Sequence, residues 1–157
     1  MRKINNPFAG RPSYNCFGCS PDNPHGLHLE FFEDGEEVVC NWTPEDNLQG
    51  YDKVLHGGIQ STLMDEIASW TVYVKAKTAG VTARMEVKFR KPVFVDAGPL
   101  TVRGKIISQN KRIVTIYTRL FDANGICCAE GKVDYFVMPP DQAKEKLNYP
   151  GYERFFE

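Results

Sequence analysis

The sequence has no long hydrophobic run and no excess of charge of either sign. No segment approaches the roughly 18 consecutive apolar residues of a membrane-spanning helix, so we expect no membrane partner. Lysine and arginine together number 19 and aspartate and glutamate 20, which gives a formal net charge of -1. Domains that bind nucleic acids usually carry a basic surplus, and its absence here predicts no nucleic-acid partner.

Cysteine is scarce and odd in number, with five residues in the chain. The first residues also lack the apolar segment of a secretory signal. An odd number of cysteines without such a signal favours reduced thiols over a disulfide framework. We therefore expect a cytoplasmic protein.

Length and composition are those of one globular domain. The chain has 157 residues, of which 42% are hydrophobic and 25% charged, and this is enough apolar material for a substantial core. We expect residues 1–157 to form a single domain. Residues 1–25 are rich in proline, glycine, asparagine and serine and predict an irregular lead-in, and residues 139–157 predict a tail that includes a short helix.

Alternation of apolar and polar residues predicts six strands. Two precede the helix described below and four follow it. Hairpin-type turns at Asp34-Gly35 and Asn124-Gly125 join neighbouring strands. The third strand has the clearest alternation and is expected to be half-buried. The predicted strands are residues 26–32, 36–42, 81–90, 100–108, 112–121 and 126–138.

Residues 57–80 contain the strong helix pattern of the chain. Apolar residues recur at spacings of three and four, as on one stripe of a helix, and small or apolar neighbours widen that stripe. Gly80 is well placed to end the helix. The sequence therefore predicts an α+β fold in which one antiparallel sheet wraps around one long central helix. A second copy would complete the covering of the helix. The stripe consists of Ile59, Leu63, Ile67, Trp70 and Val74.

His56-Gly57-Gly58 stands directly before this helix, and Asp65 and Glu66 follow two turns later. Glycines at a helix start let a ligand approach the free backbone N–H groups. Carboxylates in a buried segment are costly unless they are partnered or used. The pattern therefore predicts a functional site.

These residues resemble the hot-dog-fold acyl-CoA thioesterases of the phenylacetate-pathway type. The resemblance rests on His56-Gly57-Gly58, the apolar run 59–64, Asp65 and the strand entrance Gly80-Val81-Thr82, and covers roughly residues 26–138. The lead-in CFGCSPDNPHGL also resembles the start of a subgroup of these proteins. The resemblance implies a hot-dog fold, hydrolysis of an acyl-CoA thioester without a cofactor, and catalysis by Asp65.

The chemistry of thioester hydrolysis suits these groups independently. Backbone N–H groups of Gly57 and Gly58 at the positive end of the helix can stabilise an oxyanion. Asp65 can act as general base or nucleophile. The eight-residue separation of Gly57 and Asp65 corresponds to about 12 Å of helix rise, which is too far for one thioester. We therefore expect Gly57 of one subunit to act with Asp65 of another, in a homodimer or in a homotetramer that contains such dimers.

The sequence departs from the family pattern before the histidine. Several of the family's enzymes have an asparagine six residues before it, where this chain has Gly50. Gln49 is the expected substitute for that amide. Helical periodicity favours Glu66 as the buried carboxylate, whereas the resemblance assigns catalysis to Asp65. We rank Asp65 first and expect Glu66 to contribute to substrate binding.

Further residues are candidates for substrate binding. Thr82 matches a serine or threonine close to the catalytic water in the family, or is a polar residue on a solvent face. His56, beside Gly58, either fixes the helix start by hydrogen bonding or acts as a base, and we favour the first. Arg90 and Lys91 either meet the phosphates of coenzyme A or belong to a solvated strand.

Cys16-x-x-Cys19, followed by His25 and His28, has the spacing of two chelating pairs. The gap between the pairs is shorter than in zinc fingers, and no thioredoxin-like pattern surrounds the cysteines. We therefore expect small buried cysteines and no metal.

The enzyme interpretation has a main alternative, a non-catalytic hot-dog module that binds an acyl-CoA as a sensor or carrier. Gly50 in place of asparagine is the feature that favours it. A hot-dog dehydratase is less favoured, because the usual paired histidine and carboxylate are not evident.

Overall fold

The computed structural model describes residues 1–157 and consists of one seven-stranded antiparallel sheet around one long helix. The strand order is β1-β2-β3-β5-β6-β7-β4. This confirms the expected α+β architecture. The strands are β1 Arg2–Ile4, β2 Phe31–Asp34, β3 Glu37–Trp42, β4 Gly80–Phe89, β5 Leu100–Gln109, β6 Ile113–Phe121 and β7 Cys127–Val137, and the α-helices are α1 Gly57–Thr71 and α2 Pro140–Leu147.

Helix α1 is buried on most of its surface, as its wide apolar stripe predicts. Leu63, Met64 and Ile67 are at most 1% exposed, and the Trp70 ring stacks on Phe31 of β2 at a centroid distance of 4.5 Å. Each such side chain contributes about 1.5–3 kcal/mol on burial. No helix of the structure is both long enough and apolar enough to cross a membrane.

The helix ends earlier than the sequence predicts. After Thr71 the chain makes a π-helical turn, Val72–Ala76, and Lys77 with φ 54° terminates it. Gly80 instead begins β4, and the predicted role of Gly80 as the helix terminator is wrong. Glycine is required at position 80 for a different reason: a Cβ there would collide with the carbonyl oxygen of Phe136 on β7.

The first predicted strand, 26–32, is strand only from Phe31 onward. His28 has φ 53°, a left-handed conformation that interrupts extended backbone. Leu27 and Leu29 are nevertheless buried, so their alternation reflects packing of an ordered loop.

The lead-in is less irregular than predicted, because its residues Arg2–Ile4 form β1 and pair with β2. The backbone N–H of Asn5 also donates to the carbonyl of Phe155 at 2.8 Å. The rings of Phe8 and Phe155 lie 6.1 Å apart, and both pack near Tyr73. The two ends of the chain therefore share one aromatic cluster with the end of the central helix.

Strand β4 forms an edge of the sheet and is more exposed than the predicted half-buried strand. It pairs with β7 on one side only. Val81 is 50% exposed and Phe89 is 53% exposed. A β-bulge between Thr82 and Arg84 shifts the register and interrupts the strict alternation seen in the sequence.

Candidate active site

Asp65 lies on the side of α1 that faces β4 and β7. Its Oδ1 atom accepts hydrogen bonds from the Thr82 hydroxyl at 2.8 Å and from the Tyr135 hydroxyl at 2.8 Å. The Tyr135 hydroxyl also lies 3.1 Å from the Asp65 carbonyl oxygen. No group of the chain hydrogen-bonds to Oδ2, so this carboxylate has one anchored oxygen and one oxygen available to a ligand.

The sheet brings the two hydroxyl donors together. Thr82 of β4 and Tyr135 of β7 are register partners, and the bulge follows immediately after Thr82. Bulges commonly redirect side chains next to functional sites. Of the two interpretations of Thr82, its contact with Asp65 supports a place in the site.

Tyr135 is the residue that sequence reasoning missed. Burial, and then the negative charge of Asp65, raise the pKa of Tyr135 well above its usual value of 10. The hydroxyl therefore keeps its proton and acts as a donor at any ordinary pH. The signal was present, since β7 alternates and places Tyr135 on the same face as Val133 and Val137, where a buried hydroxyl needs a partner.

His56 caps the start of α1, in line with the hydrogen-bonding interpretation. Its Nδ1 accepts from the Gly58 N–H at 2.8 Å. The Gly58 N–H is therefore not free, which corrects the expectation that both glycines present free N–H groups. The Gly57 N–H has no acceptor within the chain, and the residue is exposed. The ring of Phe89 lies 3.7 Å from the position that a Cβ at residue 57 would occupy.

Gln49 lies near the helix start, but its amide is engaged in its own loop. Nε2 donates to the carbonyl oxygen of Asp46 at 2.8 Å and to its carboxylate at 2.7 Å, and Oε1 accepts from the Lys53 N–H at 2.5 Å. Both donors of the amide are used. These contacts do not favour the predicted catalytic role, and we interpret Gln49 as the residue that holds the loop before His56. A groove of about 400 Å³ runs past Gln49, His56, Gly58 and Ile59.

Glu66 faces away from the partners of Asp65, toward the lead-in. Its Oε1 atom lies 3.7 Å from the Sγ of Cys16. Burial, and then the neighbouring Cys16, raise the pKa of Glu66 to about 8. Neighbouring positions on a helix point about 100° apart, so Glu66 and Asp65 have different surroundings. These contacts do not favour the predicted contribution of Glu66 to substrate binding, which stays a prediction.

Arg90 and Lys91 follow β4, at the end of that strand close to Phe89. The Arg90 guanidinium bonds Glu130 at 2.5 Å, and this contact raises the pKa of Arg90. The Lys91 side chain is exposed and has no partner in the chain. Their predicted contacts with coenzyme A stay predictions.

Cys16, Cys19 and Glu66 offer three ligand atoms that all lie within 4.8 Å of one another and could hold a metal ion. The two histidines of the sequence pattern do not join them. His28 Nε2 instead lies 2.5 Å from the carbonyl oxygen of Asn23.

Two comparisons with known proteins establish the family of this chain. The Thioesterase superfamily matches residues 52–129, which include the helix start, Asp65 and Thr82. A protein of Saccharolobus solfataricus named "Putative esterase SSO1253" is 31% identical over 124 residues, covering 78% of this chain and 81% of that protein. The chain belongs to the thioesterase superfamily.

Solved structures show the same hot-dog fold. A thioesterase superfamily protein, RHA08564, superposes with a TM-score of 0.72 at 22% identity, covering 77% of this chain but only 62% of the length of that protein. Zebra fish thioesterase superfamily member 2 gives 0.65 at 22% identity, with 74% of this chain and 89% of that one covered. A thioesterase protein from Streptococcus pneumoniae, solved with coenzyme A, gives 0.66 at 21% identity, with 71% and 87% covered.

Proposed function

We propose that the protein is a homodimeric acyl-CoA thioesterase in which Asp65 activates water at a site shared by two subunits. The observation that carries the proposal is the Asp65 carboxylate, anchored at Oδ1 by Thr82 and Tyr135 and unbonded at Oδ2. Such anchoring fixes the direction of the free oxygen, as a general base requires.

The Gly57 N–H is the complementary group. It lies at the positive end of α1 and has no acceptor in the chain. A thioester carbonyl placed there would gain charge stabilisation as its oxygen becomes an oxyanion. Water deprotonated by Asp65 would attack the carbonyl carbon, and collapse of the tetrahedral intermediate would release the acid and coenzyme A thiol, which takes up the proton.

The exposed edge of β4 supports a site between subunits. Thr82, beside Asp65, lies near the start of β4, whereas Phe89, beside Gly57, lies at its end. Antiparallel association of two β4 edges about a two-fold axis would bring the Thr82 end of one subunit to the Phe89 end of the other. Asp65 of one subunit would then approach Gly57 of its partner, which one helix cannot achieve alone.

Coenzyme A is the proposed carrier of the acyl group. The Streptococcus pneumoniae relative was solved with coenzyme A. Arg90 and Lys91 stand at the same end of β4 as the Gly57 N–H, where they can contact phosphate groups of the carrier.

The test is thiol release from short, medium, long and aryl acyl-CoAs, comparing the wild type with Asp65→Asn. We expect kcat to fall by about 10²- to 10⁴-fold, because the amide cannot accept a proton from water. The matched control is Asp134→Asn. Asp134 also accepts a hydrogen bond from a threonine hydroxyl, that of Thr115 at 2.6 Å, but its side chain lies away from α1. Asp134→Asn should keep normal turnover, and an Asp65→Asn variant as active as the wild type would refute the assignment.

The second candidate is a non-catalytic acyl-CoA-binding module. Gly50 favours it, since no side-chain amide stands at that position. Absence of hydrolysis across the whole panel, together with a rise in Tm when acyl-CoA is added, would support the module over the enzyme.

A further inference from the structure

The lead-in closes over Glu66 with a compact cluster of polar groups that the proposed reaction does not use. Cys16 Sγ lies 3.7 Å from Glu66 Oε1 and 3.3 Å from Cys19 Sγ, and the Tyr14 hydroxyl lies 2.9 Å from Cys19 Sγ. The cluster lies beside a cavity of about 250 Å³ that Arg11 also lines.

The loop 16–19 is shaped to accept this carboxylate. A Cβ at Gly18 would collide with the Glu66 carboxyl carbon and would lie 2.6 Å from Oε2. Glycine at position 18 therefore lets the loop pack closely against the Glu66 carboxylate, with both cysteine sulfurs near it. The Cys16-Phe17-Gly18-Cys19 segment and the distant Glu66 therefore fit together as one site.

We propose that Cys16, Cys19 and Glu66 bind one Zn²⁺ ion, with water from the adjacent cavity as the fourth ligand. Tetrahedral zinc has Zn–S bonds of about 2.3 Å and Zn–O bonds of about 2.0–2.2 Å, which place ligand atoms about 3.6–3.8 Å apart. The Cys16–Glu66 separation of 3.7 Å matches this spacing. The Cys16 and Cys19 sulfurs lie 3.3 Å apart and need to separate by only about 0.5 Å to reach the sulfur–sulfur distance of a tetrahedral zinc site.

Charge and ligand type favour zinc over a hard cation. Two thiolates select soft or borderline metals, and calcium and magnesium prefer oxygen ligands alone. The thiolates and the carboxylate leave a net negative charge after binding Zn²⁺, and Arg11 at the rim of the cavity has the opposite sign. The site joins the lead-in to α1 and is separate from Asp65, so its first effect is to hold the lead-in in place.

The test measures metal content and the spectrum of bound cobalt in protein purified under reducing conditions. Wild type should contain about one zinc per chain and, with Co²⁺ in its place, show thiolate-to-metal charge transfer and tetrahedral ligand-field bands. Cys16→Ser and Cys19→Ser should lose the metal. Glu66→Gln should weaken Co²⁺ binding by at least about tenfold, because loss of even an outer-shell partner of a metal ligand typically costs about 10- to 100-fold in affinity.

The matched control is Cys127→Ser, which removes a half-buried cysteine outside the cluster and should leave binding unchanged. If the cysteine variants fail to fold, thiol labelling of the wild type decides instead. Added Zn²⁺ should then protect Cys16 and Cys19 alone among the five cysteines, as mapped by mass spectrometry. Wild type that binds neither Zn²⁺ nor Co²⁺, or holds a Cys16–Cys19 disulfide under reducing conditions, or an unchanged Glu66→Gln variant, would overturn the proposal.

Discussion

Asp65 and Glu66 are adjacent in sequence but differ in their surroundings. Asp65 meets two hydroxyl donors of the sheet, whereas Glu66 meets two cysteines of the lead-in. Burial without a cation favours the protonated acid and raises the pKa of Glu66. One helix therefore carries two carboxylates with different chemistry, one for the proposed reaction and one for the proposed metal.

Tyr135→Phe tests the anchoring of Asp65 by removing a single oxygen atom, the hydroxyl that donates to Oδ1. The change removes one hydrogen bond to a charged group, worth about 1.5–3 kcal/mol. We expect kcat to fall by about 10- to 100-fold, with KM nearly unchanged, because the misplaced base affects the transition state. Steady-state thiol release measures both constants.

The control for this variant is Tyr117→Phe, on the neighbouring strand β6. This change also removes a tyrosine hydroxyl that donates to a carboxylate, in this case Glu130 at 3.1 Å. It should leave kcat unchanged. Equal losses in the two variants would show that tyrosine hydroxyls matter only for the stability of the sheet.

At the scale of the element, the start of α1 depends on the cap that His56 provides. His56→Ala removes the acceptor of the Gly58 N–H and should lower the free energy of unfolding by about 0.5–2 kcal/mol. His56→Asn supplies another good capping side chain and should restore most of that loss and most of the activity. Urea unfolding and thiol release measure the two effects. Loss of turnover in His56→Asn at normal stability would instead identify His56 as a catalytic base.

The elements that could be predicted from sequence are those whose signal is local. The start of α1, the position of Asp65 and the last three strands follow from contiguous patterns. The contact of Tyr135 with Asp65 joins residues 70 positions apart, and that of Cys16 with Glu66 joins residues 50 apart. Such contacts depend on strand order, on the bulge in β4 and on the fold of the lead-in, which alternation alone does not specify.

At the scale of the whole molecule, the shared site can be tested by mixing two inactive chains. Gly57→Pro removes the proposed oxyanion donor without disrupting α1, because proline is favoured in the first helical turn. His56 at φ -55° and ψ 133° already has the conformation required before proline. Each of Gly57→Pro and Asp65→Asn alone should be nearly inactive.

Co-expressed with separate tags, the two variants should form heterodimers in which one site is fully wild type and the other carries both changes. The purified heterodimer should then recover about half of the wild-type activity. Doubly purified heterodimers as inactive as either parent would show that Gly57 and Asp65 of the same chain act together, or that the site does not cross the interface.

The two edges of the sheet differ in a way that limits how the protein can assemble. At β1 the strand is only three residues long, and residues near 156 pack beside it, with the Arg2 guanidinium over the ring of Phe156 at 3.4 Å. At β4 the edge is ten residues long and open. A sheet with two open edges can add subunits without end, as in fibres, whereas a sheet with one open edge is complete once two subunits have met. The short β1 edge therefore disfavours the addition of further subunits at that side of the sheet.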